Sequence, residues 1–194
     1  MKNIYEDIKS NKELKRKKYN LIRNSNSPFV HEKIKYHVKS TLEIHLNKIN
    51  VKEKYIGIYW PLKGEVDIRF IKEISNQKVA LPSSFKNKAI NYYHWSNNDL
   101  DLDSNGIPYP KGKHAISPKE ISILLVPALA IDKEGYRLGY GGGYFDRLRK
   151  KEFWFSIPSF VVISNNCISN KPLPRDGWDL PFDGWISEKG LHQI

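Results

Sequence analysis

The sequence predicts an α/β fold: a single three-layer domain over residues 1–194, with a largely parallel sheet flanked by helices. Apolar, strand-like segments alternate along the chain with helical ones, which is typical of parallel sheets built from βαβ units. No internal repeat or low-complexity linker divides the 194 residues, and this length suits one domain with a substantial core.

The composition is that of a folded protein, with 40% hydrophobic and 12% aromatic residues. The sequence contains no run of eighteen apolar residues, so we expect no membrane span, and its charged N-terminal segment does not resemble a signal peptide. Cys167 is the only cysteine, which excludes an intrachain disulfide and a thiolate zinc site. We therefore expect a cytoplasmic protein.

The formal net charge of +11 favours anionic partners through its long-range field. Three interpretations remain open from charge alone. The partner is a nucleic acid, or it is a small molecule carrying phosphate, or the lysines simply form a solvated surface. Composition does not choose among them.

The first fifty residues predict two helices. Residues 3–22 are rich in helix-forming residues and lack Gly and Pro. Ser27 is the predicted N-cap of the second helix, and Pro28 is its predicted first residue. Beyond it, apolar residues recur every four positions and form one stripe of an amphipathic helix: Ile34, Val38, Leu42 and Leu46.

The remaining elements follow from apolar runs and from turn-forming residues. Strands are predicted at 55–60, 78–81, 89–95 and 159–163, and a buried strand begins the apolar segment 121–131. Helices are predicted at 66–75 and 144–151, an irregular loop at 99–117, a glycine-rich loop at 135–143, and a proline-rich tail after residue 163.

The glycine-rich loop is the strongest chemical signal. Gly139, Gly141, Gly142 and Gly143 leave backbone amides unshielded before a predicted helix, which favours a phosphate site. Arg137 supplies a forked donor for phosphate oxygens, and Asp146 is a candidate Mg²⁺ ligand. The loop fits neither a P-loop nor a dinucleotide fingerprint, so a structural hinge or a glycine-aromatic RNA contact remains open.

Two segments carry a more specific resemblance. Residues 126–132, Val-Pro-Ala-Leu-Ala-Ile-Asp, and residues 135–147, Gly-Tyr-Arg-Leu-Gly-Tyr-Gly-Gly-Gly-Tyr-Phe-Asp-Arg, resemble the signature of the 5-formyltetrahydrofolate cyclo-ligase family. The resemblance implies an ATP- and Mg²⁺-dependent enzyme that converts 5-formyltetrahydrofolate to 5,10-methenyltetrahydrofolate. The implied route phosphorylates the formyl oxygen, lets N10 attack, and releases ADP and phosphate. We expect a monomer without membrane or nucleic-acid partners, and the positive surface of the protein suits polyglutamylated folates.

Site residues follow from the same resemblance. Expected ATP-binding residues are Lys12, Arg16, Arg137, Leu138, Gly139, Tyr140, Gly141, Gly142, Gly143, Tyr144 and Phe145. Expected folate-binding residues are Trp60, Glu65 and Tyr140 to Tyr144, with Glu65 accepting hydrogen bonds from the amino and ring N–H groups of the pterin. Expected Mg²⁺ ligands are Asp146 and Asp179.

Three departures from the family pattern leave alternatives. Lys15 stands where the family usually has leucine, so Lys15 is an alternative to Arg16. Phe145 replaces a common second tyrosine and removes its hydroxyl. Trp178 replaces the usual histidine before Asp179, which leaves Asp183 as the alternative metal ligand.

Two other functions remain as alternatives. Tyr92, Tyr93 and Trp95 on one strand, together with the positive charge, suggest a basic RNA- or DNA-binding module. The other alternative is a different ATP- or CoA-using enzyme on a similar scaffold.

Overall fold

A computed structural model describes residues 2–47, 51, 53–74, 77–96, 99–112 and 114–194. The five helices of this part of the chain are α1 (Lys2–Asn24), α2 (Pro28–Leu46), α3 (Ile71–Ile74), α4 (Tyr144–Arg149) and α5 (Glu152–Phe155). Short 3₁₀ turns lie at Pro118–Glu120 and Asn165–Cys167. None of these helices combines the length and the apolarity that a membrane crossing requires.

The described strands are β1 (Tyr55–Gly57), β2 (Val79–Ser84), β3 (Ile90–His94), β4 (Leu100–Leu102), β5 (Pro108–Pro110), β6 (Ile121–Pro127), β7 (Ala130–Asp132), β8 (Arg137–Leu138), β9 (Ser159–Val162), β10 (Ile168–Ser169), β11 (Gly184–Ser187) and β12 (Gly190–Gln193). Seven of them form the main sheet in the order β12-β11-β9-β6-β1-β2-β3. The five central strands are parallel, and the edge strands β12 and β3 are antiparallel to their neighbours.

The main sheet is covered on both faces because its central strands are apolar on both sides. Along β6, Ile123 and Leu125 face one core with the α2 stripe, whereas Leu124 and Val126 face a second core. Helices α1, α4 and α5 pack on this second core. These three layers confirm the predicted α/β class with a largely parallel sheet.

The N-terminal predictions are confirmed in detail. Ser27 caps α2, its side chain accepts a hydrogen bond from the Val30 N–H, and Pro28 is the first helical residue. In the predicted stripe, Ile34, Val38 and Leu42 are buried. Burying this stripe against the sheet provides most of the stability of α2, because an isolated helix of this length is marginal in water.

Several boundaries are wrong. The helix predicted at 66–75, whose residue 75 lies outside the described residues, is only the four-residue α3. Asp67 competes for the backbone there, since its side chain accepts the Arg69 N–H at 3.0 Å. The apolar segment 121–131 divides into β6 and β7, which belong to different sheets.

Two regions in which no strand was predicted contain strands. The predicted loop 99–117, whose residue 113 is not described, contains the antiparallel hairpin β4–β5. The proline-rich tail supplies β10, β11 and β12. Strand β11 pairs with β9 and is fully buried, so the tail extends the main sheet.

Candidate active site

A cavity of about 860 Å³ opens beyond the carboxyl ends of β1, β2 and β6. Tyr59 and Trp60 follow β1, Ser84 ends β2 and Pro127 ends β6, and all four line the cavity. Within the sheet, β2 lies next to β1 on one side and β6 lies next to β1 on the other side. Ligands of parallel sheets bind at such reversals of strand order.

The glycine-rich loop lies along one wall of this cavity. Gly141 and Gly143 have φ values of 106° and 66°, a left-handed region that disfavours other residues. A side chain at Gly142 would collide with the ring of Tyr144. The Arg147 Nη1 donates to the Gly142 carbonyl at 2.6 Å. These contacts hold the bare backbone in one conformation beside the cavity.

Arg137 is fixed by contacts on several sides. Its Nη1 donates to the Pro127 carbonyl at 3.2 Å, and its Nη2 lies 3.2 and 3.3 Å from the two carboxylate oxygens of Asp146. Phe145 and Phe182 lie 5.1 and 5.3 Å from its guanidinium carbon. The side chain is 6% exposed, so its charge acts in a partly desolvated site.

Helix α1 brings two more cations to the same cavity. Lys12 and Arg16 lie four residues apart and therefore share one helix face. The Arg16 Nε donates to the Gly139 carbonyl at 2.9 Å, and the Lys12 Nζ lies 2.7 Å from one oxygen each of Asp176 and Asp179. Burial alone would lower the pKa of Lys12, but these two carboxylates outweigh it and raise that pKa above its ordinary value.

Glu65 lies in a buried pocket of polar partners at another wall. Its Oε2 accepts the Leu62 N–H at 2.7 Å, and its Oε1 accepts the Tyr140 hydroxyl at 2.6 Å. Arg23 approaches the same Oε1 at 3.5 Å. Burial raises the pKa of the Glu65 carboxyl, against the opposing effects of the Leu62 N–H and Arg23. Burial also lowers the pKa of Arg23.

The structure brings all the residues expected to bind ATP, folate or Mg²⁺ to this one cavity. Those lining it are Lys12, Arg16, Trp60, Glu65, Arg137, Leu138, Gly139, Tyr140, Gly141, Gly142, Gly143, Tyr144, Phe145, Asp146 and Asp179. Their convergence is a fact of the fold, whereas their individual roles remain predictions.

The alternatives Lys15 and Asp183 are not among the described lining residues. Asp183 instead accepts the Ser159 N–H at 2.8 Å, at the start of β9. In contrast, Asp176 lines the cavity and shares Lys12 with Asp179. Sequence reasoning missed Asp176, although its spacing of three residues before Asp179 in a proline-flanked turn was a usable signal.

The acidic residues suit an ion that is shared with a ligand. Within the described ranges, no group of three or more His, Cys, Asp or Glu residues is placed to hold a metal ion. Mg²⁺ usually binds one or two carboxylates and completes its shell with water and phosphate oxygens. Asp146 and Asp179, both on the wall of the cavity, fit that requirement in donor type.

The nucleic-acid alternative loses its main support. Tyr92 is fully buried and stacks on Trp154 with ring centroids 5.8 Å apart, and Trp95 is also buried. Tyr92 and Trp95 belong to the two cores, so these two rings do not form a surface on which bases could stack. Tyr93 is half-buried and packs against Tyr109 with ring centroids 5.9 Å apart.

Comparisons with known proteins agree with this geometry. A family model described as the 5-formyltetrahydrofolate cyclo-ligase family matches residues 8–188. The 5-formyltetrahydrofolate cyclo-ligase of Haemophilus influenzae is 29% identical over 74% of this chain and 81% of its own length. The Escherichia coli K12 protein of the same name is 27% identical over 68% of this chain and 76% of its own length.

Two solved structures are similar in fold. The NMR structure of Aquifex aeolicus 5,10-methenyltetrahydrofolate synthetase aligns with a TM-score of 0.76 at 31% identity, covering 94% of this chain and 92% of the other. A Mycoplasma pneumoniae 5,10-methenyltetrahydrofolate synthetase aligns with a TM-score of 0.68 at 22% identity, covering 91% and 98%.

Proposed function

This chain belongs to the 5-formyltetrahydrofolate cyclo-ligase family, and on that premise we propose that the cavity described above binds ATP beside 5-formyltetrahydrofolate. The enzyme is an ATP-dependent ligase that forms 5,10-methenyltetrahydrofolate. The observation that carries the assignment of residues is the meeting of Lys12, Arg16 and Arg137 with the glycine-rich loop at one wall, while Glu65 lies at another.

In this proposal the phosphates of ATP lie between α1 and the glycine-rich loop. The Arg16 side chain is held at Gly139 by its Nε, and the nitrogens at its tip lie beside Gly141. Lys12 and Arg137 face the same space as partly desolvated cations. Phosphoryl transfer needs mainly alignment and charge neutralisation, which fixed cations and backbone amides supply.

Glu65 is proposed to receive the pterin ring. A carboxylate has only acceptors, so it pairs with the adjacent amino and ring N–H groups of the pterin. The hydroxyl of Tyr140 and the N–H of Leu62 already orient both of its oxygens. Trp60, which is half-buried and packs edge-on against Trp95 at 6.1 Å, forms the apolar wall beside it.

Mg²⁺ is proposed to bind Asp146 and Asp179, where it would neutralise phosphate charge during the transfer. Arg137 pairs with Asp146 and Lys12 pairs with Asp179. Binding the nucleotide therefore requires an exchange of partners. The cations turn to the phosphates, and the carboxylates are released.

The proposed chemistry has two steps. The formyl oxygen of the substrate attacks the γ-phosphorus of ATP, and the bond to the ADP oxygen breaks. N10 then attacks the activated formyl carbon, the C–O bond to phosphate breaks, the N10 proton leaves with the phosphate as hydrogen phosphate, and the methenyl bridge remains. The contribution of the protein is to hold the two substrates in contact and to exclude water from them.

The proposal also covers the polyglutamate tail of the substrate, the oligomeric state and the cellular location. Lys88 lines the cavity and has no acidic partner among the described residues, so it is free to meet the carboxylates of a polyglutamate tail. We propose a monomer, because one chain supplies all the expected residues. We propose a cytoplasmic location, because the only cysteine, Cys167, is buried and unpaired.

One assay tests the whole proposal. Absorbance at the methenyl chromophore is followed with 5-formyltetrahydrofolate, ATP and Mg²⁺ present together, and then with each omitted in turn. The signal is expected only when all three are present. A purified protein that forms no methenyl product and binds no nucleotide would remove the proposal.

Arg137→Ala tests the phosphate assignment. Loss of this cation is expected to lower kcat by about 100-fold or more, the usual scale for one preorganised charge contact. Arg175→Ala is the matched control, because Arg175 pairs with Glu134 outside the cavity lining. Near wild-type turnover of a folded Arg137→Ala protein would withdraw Arg137 from its assigned role.

A further inference from the structure

Part of the cavity lining is made by segments that no sequence motif singles out. Ser84 at the end of β2, together with Asp103, Asn105 and Ile107 at the tip of the β4–β5 hairpin, lines the cavity there. The hairpin tip lies in the segment 99–117 that was expected to be an irregular loop, and the proposed roles leave the tip and Ser84 without a function.

A polar network fastens the hairpin tip to β2. One carboxylate oxygen of Asp103 accepts both the backbone N–H and the hydroxyl of Ser84. Its other oxygen accepts the backbone N–H groups of Asn105 and Ile107 at 2.8 and 2.9 Å. Both oxygens of Asp103 are thus used to set the conformation of the tip.

Asn105 extends this network to the glycine-rich loop. Its Nδ2 donates to the Ser84 Oγ at 2.6 Å and to the Tyr144 hydroxyl at 2.7 Å. The two acceptors use both hydrogens of the amide group, so the side chain has a single useful orientation. Among the described residues this is the hydrogen bond that holds the Tyr144 hydroxyl.

The position of Tyr144 in turn fixes the loop. Its ring occupies the space that a side chain at Gly142 would need, so the ring lies directly against the backbone of that residue. Holding the hydroxyl therefore also holds the adjacent Cδ2–Cε2 edge of the ring against Gly142. A two-point restraint of this kind limits rotation of the Tyr144 side chain.

We propose that Asn105 is a positioning residue, which locks Tyr144 over Gly142 and so shapes the cavity for its substrates before they bind. The inference rests on the proposed function only in that Tyr144 borders the bound nucleotide and folate. Asn105 itself takes no part in the chemistry. Its contribution is preorganisation, which lowers the ordering cost of binding.

The test compares Asn105→Ala, Tyr144→Phe and the double variant by KM, kcat and calorimetric Kd for nucleotide. Each single variant is expected to raise KM for at least one substrate about fivefold, the scale of one lost hydrogen bond, with kcat changed less than about twofold. The double variant should be no worse than Asn105→Ala alone, because that substitution already removes the bond that Tyr144→Phe removes.

Leu102→Ala is the control for general damage to the hairpin, because Leu102 is 64% exposed on β4 and does not line the cavity. It should retain wild-type constants. The proposal is overturned if Tyr144→Phe retains a wild-type KM, or if Asn105→Ala weakens binding equally in the Tyr144→Phe background. Wild-type protein without turnover would count against the proposed function, and the calorimetric comparison would still decide the role of Asn105.

Discussion

Replacing Glu65 with glutamine separates folate binding from folding, because the two groups have the same shape but different charge. Burial raises the pKa of this carboxyl even though Arg23 and the Leu62 N–H act against the shift. The folded protein therefore favours the neutral form of residue 65 relative to the unfolded chain. A neutral amide should not destabilise the fold at pH 7.

The sign of the pH effect follows from this shift. A carboxyl with a raised folded pKa contributes stability below its ordinary pKa of 4.5, and that stability is lost as pH rises through the folded pKa. Glu65→Gln removes this titration. The free energy of unfolding of the variant, measured relative to wild type, should therefore increase from pH 4 upward.

The affinity of Glu65→Gln for the pterin should fall, although its stability should not. The amide can keep its oxygen on the Leu62 N–H and turn its NH₂ toward the Tyr140 hydroxyl, which then acts as acceptor. One pterin N–H then meets a donor in place of a carboxylate oxygen. Losing one charge-assisted hydrogen bond and leaving that donor unpaired costs about 3 kcal/mol. This corresponds to a rise of roughly 150-fold in Kd.

Calorimetry with 5-formyltetrahydrofolate in the absence of ATP measures this change directly. Glu43→Gln, on the exposed face of α2, is the matched control and should bind as wild type does. Nucleotide affinity of Glu65→Gln should also stay near the wild-type value, since Glu65 faces the proposed pterin. A folate Kd within about threefold of wild type would refute the assignment of Glu65.

Two further predictions concern stability. Lys88 has a φ of 62°, a left-handed conformation that glycine adopts more easily than lysine. Lys88→Gly should therefore raise the free energy of unfolding by about 1 kcal/mol, whereas Lys86→Gly in the same turn should not. Urea denaturation of both variants measures the difference. Arg149 is 1% exposed, finds no hydrogen-bond partner for two of its nitrogens among the described residues, and approaches Asp183 only to 3.9 Å. Burial lowers the pKa of Arg149, which means that the folded protein disfavours its charge. Arg149→Met should therefore raise Tm by about 3 °C, while the control Arg175→Met leaves Tm unchanged. A lower Tm for Arg149→Met would contradict the reasoning.

The sequence allowed prediction wherever local chemistry decides the structure. The four-residue period of Ile34, Val38 and Leu42, and the Ser27-Pro28 cap, determine α2 without help from distant residues. The glycine-rich loop was equally accessible, because its glycines include positions with left-handed φ that few other residues adopt.

Prediction from the sequence failed where contacts between distant residues determine the structure. The β4–β5 hairpin has a turn-rich sequence, and its regular structure depends on Asp103 reaching Ser84, nineteen positions earlier. Asp176, Asp179 and Asp183 are indistinguishable by residue type. Only the fold shows that two of them pair with Lys12 and that the third holds the start of β9.

The pairing of Lys12 with Asp176 and Asp179 has a consequence for how the enzyme matures. These partners are separated by 164 and 167 positions along the chain. A growing polypeptide on the ribosome therefore lacks the complete proposed nucleotide pocket until Asp176 and Asp179 have been added. Until then Lys12 has neither counterion and the proposed Mg²⁺ ligand Asp179 is missing, so a shorter nascent chain does not hold the complete site.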